Sequence, residues 1–112
     1  MGDYCQKSAP QRNLWAQFDA LQLGTGWDES DITKLQILIE DVFGDSHPGS
    51  KHLDKLAEEA RIGVYEAGGK PGQFHATDIC DGCAQGHDGM NYILASREAI
   101  CDMIEIHGRV YP

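Results

Sequence analysis

Residues 35–40 read Leu35-Gln36-Ile37-Leu38-Ile39-Glu40, a short run dominated by large aliphatic side chains. Apolar residues at both odd and even positions predict a strand that is buried on both faces, as in a parallel sheet. The strand leads into a polar loop at residues 44–49. A helix should follow, with Ser50 as its N-cap and Gly68-Gly69 at its end. Its apolar positions are Leu53, Leu56, Ala60, Val64 and Ala67.

The pattern then repeats. Residues 71–79 predict a second strand, residues 78–90 a second loop, and residues 96–108 a helix with Ile100, Met103, Ile104 and His107 on one side. This βαβα order predicts an α/β fold, the beginning of a parallel-sheet α/β/α domain. Because both loops follow the carboxyl ends of strands, they should face the same cleft, where open α/β sheets bind ligands.

The residues before the first strand have a simpler reading. Residues 1–10 are polar, end at Pro10 and predict a loose N-terminal arm. Residues 13–23 show helical spacing, and Gly24 stands where a helix would end. Trp27 then lies in a turn-rich segment, where we expect it to anchor the turn. We therefore expect a loose arm at 1–10 and one α/β unit at 11–112.

The 112-residue chain is of single-domain size and carries a net charge of −9 with a pI near 4.7. This acidity argues against nucleic-acid binding and against attachment to anionic membranes, since both need a basic surface. The sequence contains neither an uninterrupted apolar stretch long enough to span a bilayer nor a secretory signal pattern. Its four cysteines are therefore expected to be reduced thiols of a cytoplasmic protein.

The second loop, TDICDGCAQGHDGM at residues 77–90, concentrates thiols, carboxylates and glycines. Cys80-x-x-Cys83 has the spacing of half a zinc site, which Cys101, His87 or His107 would have to complete, or of a dithiol redox pair. A redox pair should open a helix, and the glycines at 82, 86 and 89 argue against one. A buried free thiol is the simpler interpretation of Cys101. Asp81 is placed to bind a hard cation through its carboxylate.

Three segments occur in an order that resembles one enzyme family. They are GDSHPGSKHL at 44–53, EAGG at 66–69, and CDGCAQGHDGM at 80–90 followed by Ser96-Arg97-Glu98. Together they closely resemble the N-terminal part of the dihydroxy-acid and sugar-acid (phosphogluconate) dehydratases. The resemblance covers the chain from about residue 11 onward. It implies a hydro-lyase that converts 2,3-dihydroxy carboxylic acids or sugar acids into 2-keto acids.

The resemblance also implies cofactors. These are an iron–sulfur cluster, [4Fe-4S] or [2Fe-2S], that acts as a Lewis acid on the leaving hydroxyl, and a Mg²⁺ that holds the substrate. Asp81 matches the family's Mg²⁺ ligand. Many members carry a cluster-binding cysteine at the position of Gly49, although other members have glycine there. Either the cluster type differs, which we favour, or another thiol such as Cys80 substitutes as a ligand.

The family's next motif, Gly-Cys-Asp-Lys, lies beyond residue 112, and with it the catalytic base and a modified lysine. We therefore expect an N-terminal segment that is inactive alone. It should work with the remainder of the enzyme or a complementary chain, and it should be homo-oligomeric when complete. The alternative is a small metal-binding or partner-binding module that keeps the fold without catalysis.

Overall fold

The computed structural model describes residues 16–110. Its elements in chain order are α1 (Gln17–Gly24), a 3-10 turn (Asp31–Thr33), β1 (Gln36–Asp41), α2 (Leu53–Glu66), β2 (Lys70–His75), α3 (Asp81–Ala84), a second 3-10 turn (Asp88–Tyr92) and α4 (Ile93–Val110). The predicted α/β fold with βαβα order is confirmed. The expected arm at 1–10 and the start of the first predicted helix, at residues 13–15, lie outside the described residues.

The two strands pair in parallel, with Gln36 opposite Lys70 and Asp41 opposite His75. Helix α2 makes the crossover between them, as parallel pairing requires. It ends at Glu66, and Gly68, the residue after the C-cap Ala67, takes a positive φ of +84°. A left-handed residue at this point satisfies the last helical carbonyls at little steric cost, so the predicted glycine stop is confirmed.

The prediction that the first strand is buried on both faces is wrong for the described residues. Ile37 is 38% exposed and Leu38 is 37% exposed. The reason is that the described sheet contains only β1 and β2, so few elements are available to cover it. The buried apolar residues of the described chain are small, apart from Ile93; the others are Ala57, Ala76 and Ala84. Much apolar surface is therefore left open to solvent.

Ser50 does not cap α2 as predicted. The helix begins at Leu53 with His52 as its N-cap, and no side chain satisfies the first amides. Ser50 is instead the most buried of the described polar residues, at 1% exposure. Its hydroxyl donates a hydrogen bond to Asp78 in the second loop. The Ser50 side chain therefore forms a tertiary contact and does not cap the helix.

Three other details differ from the sequence predictions. The second strand ends at His75, so that Asp78 lies in the loop and not in the sheet. The last helix extends further in both directions than 96–108, and Cys101 on it is exposed, not buried. Residues 81–84 form a short helix where glycine had predicted none.

An ion pair joins the 3-10 turn at Asp31–Thr33 to the start of β2. The Nζ of Lys70 lies 2.8 Å from an oxygen of Asp31, and both residues are buried. Lys70 also lies 5.2 Å from the ring centroids of both Trp27 and Tyr65. Trp27 additionally packs edge-on against Phe18 of α1. Trp27 is therefore an anchor, as expected, and its partners include a buried cation.

Candidate functional site at the ends of the strands

The loops that follow β1 and β2 meet at Asp78. One oxygen of its carboxylate accepts the backbone N–H of Ser46 at 2.8 Å, and the other accepts the hydroxyl of Ser50 at 2.8 Å. Hydrogen bonds from Ser46, supported by the bond from Ser50, hold the pKa of Asp78 below its ordinary value. The predicted convergence of the two loops on one edge of the sheet is therefore observed, and Asp78 is the residue that joins them.

Two glycines allow the first loop to adopt this shape. A Cβ added at Gly44 would lie 2.5 Å from a carboxylate oxygen of Asp78, so a side chain there would push the loops apart. A Cβ added at Gly49 would lie 2.7 Å from the imidazole ring of His47. Gly49 is the position at which the resemblance implies a cysteine in many family members. Here the ring of His47 fills the space that such a side chain would enter.

His47 is held by two hydrogen bonds. Its Nδ1 accepts the backbone N–H of Gly49 at 3.0 Å, so the proton of the neutral ring is on Nε2. That Nε2 then donates to the Ser50 hydroxyl at 2.9 Å, and the hydroxyl donates to Asp78. The result is a directional relay from imidazole to hydroxyl to carboxylate. Because Ser50 is 1% exposed, its oxygen cannot reach a substrate, and the relay organises the loop.

The second loop repeats the same geometry. The Nδ1 of His87 accepts the backbone N–H of Gly89 at 3.0 Å, and its Nε2 donates to the carbonyl of Cys83 at 2.8 Å. A Cβ at Gly89 would lie 2.5 Å from the His87 ring. This role was not predicted from the sequence. The signal was the recurrence of His-x-Gly in the two loops.

Asp81, the residue that matches the Mg²⁺ ligand of the resembled family, is the first residue of α3. Its carboxylate is 48% exposed and forms an ion pair with the guanidinium of Arg97, which belongs to α4. The Ser-Arg-Glu motif at residues 96–98 is thereby brought to the Asp-Gly motif at 81–82. An exposed carboxylate oxygen is a suitable donor for Mg²⁺, and one carboxylate with several waters is a common way for proteins to hold that ion.

The two cysteines of the motif lie side by side. Cys80 is the N-cap of α3 and is half-buried, and Cys83 is exposed on the same turn. The neighbouring Cys80 side chain raises the pKa of the Cys83 thiol. Cys83 also donates its S–H to the carbonyl of Ser46 at 3.2 Å, which is a third link between the two loops. The donor type at Cys80 suits an iron–sulfur cluster, which proteins hold through thiolates.

The residues proposed to complete a zinc site are not brought together. His107 stacks on Phe74 with ring centroids 4.7 Å apart, and its Nδ1 donates to Glu40 at 2.8 Å. Both ring nitrogens of His87 are oriented by loop bonds, and Cys101 is exposed on α4. Across residues 16–110, no three histidine, cysteine or acidic side chains cluster closely enough to hold a metal.

A large cavity lies elsewhere. It measures about 950 Å³ and opens over the sheet between Trp27 and the end of α4, lined by Ile37, Phe74 and His107 among others. None of the residues of the two strand-end loops, 44–49 and 78–90, lines this cavity.

Within the described residues, no helix combines the length and the apolar character needed to cross a bilayer.

The comparison with protein families decides the family. The model described as dihydroxy-acid/6-phosphogluconate dehydratase N-terminal matches residues 34–112, which include both loops and all three motif segments. The chain belongs to this family. The resemblance seen in the sequence is thereby confirmed.

Curated relatives of the chain carry names that agree with this family. A dihydroxy-acid dehydratase of Halothermothrix orenii is 46% identical over 99 residues, which cover 88% of this chain and 17% of that protein. Dihydroxy-acid dehydratase 1 of Methanosarcina acetivorans is 42% identical over 105 residues, covering 94% of this chain and 18% of the relative. The chain therefore spans less than a fifth of the length of the relatives it matches.

Proposed function

We propose that residues 11–112 are the N-terminal part of the α/β domain of a hydro-lyase that dehydrates 2,3-dihydroxy carboxylic acids or sugar acids to 2-keto acids. The two strand-end loops form one wall of its active site. The observation that carries this proposal is the joining of both loops through Asp78, which leaves the carboxylate of Asp81 half-exposed at the same edge. Membership of the dehydratase family supports the reaction class.

Asp81 is the residue of this wall that we assign to Mg²⁺, and Cys80 is the residue that we assign to an iron–sulfur cluster, [4Fe-4S] or [2Fe-2S]. Bound there, these groups would supply Lewis acidity for the departure of hydroxide and for holding the substrate carboxylate. The chain's own contribution is positional. Arg97 pairs with the Asp81 carboxylate when no cation is bound, and the Asp78 hydrogen bonds keep the first loop against the second.

The remainder of the enzyme is the partner that this proposal requires. A single carboxylate and a single thiol hold metals weakly, so further ligands and the catalytic base must come from other chain segments. The exposed aliphatic side chains of β1 and of α4, such as Ile37, Leu38 and Ile106, support such packing, because they form apolar surface that another layer would cover. We further propose a cytoplasmic enzyme that forms homo-oligomers.

The test is made in a polypeptide that joins this chain to the remainder of the dehydratase. Formation of 2-keto acid is measured with branched dihydroxy acids and with sugar acids as substrates. Asp81→Asn removes the negative charge that a hard cation prefers, and it should lower turnover about 10²-fold or more at limiting Mg²⁺. Asp88→Asn is the matched control, because Asp88 is exposed in the same loop.

The outcomes distinguish the proposed reaction from the assignment of Asp81 to Mg²⁺. If neither substrate class yields a keto acid in the parent protein, the proposed reaction is wrong. If the parent is active and Asp81→Asn retains activity within a few-fold of it, the reaction stands but Asp81 is not the Mg²⁺ ligand. Asp88→Asn should behave like the parent.

A further inference from the structure

The two thiols of the Cys80-x-x-Cys83 segment occupy the first turn of α3. Cys80 is the N-cap, with the extended backbone angles φ −123° and ψ 119°, and Cys83 is the third residue of the helix. Side chains at the N-cap and at the third helical position face each other, as they do in a capping box. Residues 81–84 are helical despite Gly82, so the expectation that the glycines keep a redox pair from opening a helix is wrong for this segment.

No side chain stands at residue 82 against the Cys80 sulfur. Gly82 lies between them in sequence, and a Cβ at that position would come within 3.6 Å of the Cys80 sulfur. The two cysteines lie three residues apart on one helical turn, at the N-cap and at the third helical position, so their side chains are neighbours. Cys83 is exposed and Cys80 is half-buried, which gives a small reagent access to the pair.

We propose that Cys80 and Cys83 form a redox-active dithiol that closes to an intramolecular disulfide by exchange with a low-molecular-weight disulfide such as glutathione disulfide. In the first step, one of the two thiolates attacks the reagent, forms a mixed disulfide and releases one small thiol. In the second step, the other thiolate attacks the protein sulfur of the mixed disulfide and releases the second small thiol. The protein loses two electrons and two protons, and the reagent gains them.

Closure has a consequence at the wall of the site, and this consequence rests on the proposed function. A sulfur atom in the disulfide is no longer a thiolate, so Cys80 cannot be both oxidised and a cluster ligand. Oxidation also removes the S–H that Cys83 donates to the Ser46 carbonyl, and with it one of the links between the loops. The disulfide and the cluster-bearing state are therefore mutually exclusive.

The test uses the full 112-residue chain, freed of metal and reduced, with Cys5→Ser in every protein. It is equilibrated in glutathione buffers of increasing oxidised-to-reduced ratio, quenched with an alkylating reagent, and mapped by proteolysis and mass spectrometry. Cys80 and Cys83 should lose their thiols together, in one two-electron transition, and appear in one cross-linked peptide. Cys101, exposed on α4, is the internal control and should at most acquire glutathione.

The matched variant is Cys83→Ser, whose fold is checked by circular dichroism. Cys80 should then stop at the mixed disulfide with glutathione. Separate glutathionylation of Cys80 and Cys83 in the parent chain, without a cross-link, would overturn the proposal even if the variant fails to fold. So would a disulfide that joins either thiol to Cys101.

A second measurement separates this proposal from the proposed function. The joined enzyme is reconstituted with iron and sulfide, before and after oxidation, and the cluster absorption is recorded. If the disulfide forms in the metal-free chain but Cys80→Ser keeps the full cluster absorption, the dithiol stands and the cluster assignment of Cys80 fails. If the absorption depends on Cys80 but no disulfide forms, the dithiol proposal fails alone.

Discussion

The carboxylate of Asp78 accepts a hydrogen bond of 2.8 Å from the hydroxyl of Ser50, a residue 28 positions earlier in the chain. Together with its bond to the N–H of Ser46, this contact ties the two strand-end loops into one unit. The bonds favour the charged carboxylate, which is why the pKa of Asp78 is lowered from 3.8. The stability of the loop unit should therefore depend on pH in the acidic range.

The first prediction is an acid-dependent stability of this unit. A carboxyl group with a lowered pKa in the folded state stabilises the fold above its unfolded pKa, and this contribution is lost as the pH falls below that value. Asp78→Asn should therefore lower the urea midpoint at neutral pH, and its difference from the parent should shrink as the pH falls below about 4. Urea unfolding at a series of pH values measures this.

Asp102→Asn is the control for Asp78→Asn, since Asp102 is exposed on α4 and belongs to neither loop. It should leave the midpoint nearly unchanged at every pH. A difference between Asp78→Asn and the parent that stayed constant from neutral to strongly acidic pH would show that the charge of Asp78 does not contribute.

The second prediction concerns the space beside His47. A side chain at Gly49 would meet the ring at 2.7 Å, so Gly49→Ala should destabilise the chain by about 1–3 kcal/mol, the usual cost of overpacking. In the His47→Ala background the same change should cost clearly less. The four proteins form a double-mutant cycle, which thermal or urea unfolding can measure.

Gly63→Ala is the matched control for Gly49→Ala. Gly63 lies within α2 and has no neighbour within 4 Å of an added Cβ, so alanine should stabilise the chain by about 0.5–1 kcal/mol. Additive effects of the changes at 47 and 49 would contradict the steric explanation of the glycine.

The third prediction concerns the competition for Asp81. The guanidinium of Arg97 neutralises the carboxylate that we assign to Mg²⁺, so Arg97→Gln should increase the Mg²⁺ affinity of the isolated chain, as measured by isothermal titration calorimetry. Stability should change by less than about 1 kcal/mol, because the pair is exposed. Arg109→Gln, which removes an exposed pair with Glu105, is the control. Weaker Mg²⁺ binding in Arg97→Gln than in the parent would refute competition.

The fourth prediction concerns the buried cation at the start of β2. Lys70→Met keeps an unbranched side chain but leaves the buried Asp31 carboxylate with fewer hydrogen bonds, so it should destabilise the chain by about 2 kcal/mol. Lys55→Met on the exposed side of α2 should change stability by less than about 0.5 kcal/mol. Chemical unfolding at neutral pH compares the two, and equal effects would mean that the Asp31–Lys70 pair contributes little.

The sequence predicts the sheet better than it predicts the site. The β-branched run before Asp41 and the glycine pair after α2 are local signals, and both gave correct elements. The prediction that Ser50 caps α2 was wrong because its hydroxyl is hydrogen-bonded to Asp78, which is close to Ser50 only in the folded chain. The meeting of Arg97 with Asp81 is likewise a tertiary contact, and the motif order alone could not reveal it.

The prediction that residues 81–84 are not helical was wrong for a different reason. Glycine lowers helix propensity, but one turn needs little propensity when its ends are held by neighbouring loops. The link from Cys83 to Ser46 and the bond from His87 to the Cys83 carbonyl supply that hold. The paired His-x-Gly segments were visible in the sequence and could have been used to predict how the two histidines are held.

The orientation of these two rings determines which metals the loops can attract. In both His47 and His87, Nδ1 accepts a glycine N–H and Nε2 donates a proton, so neither ring offers a free lone pair. Coordination by either imidazole would require breaking two hydrogen bonds. The loops therefore present thiol sulfur and carboxylate oxygen while both ring nitrogens of each histidine stay engaged, and these are the donor types that suit iron–sulfur clusters and magnesium rather than an imidazole-bound metal.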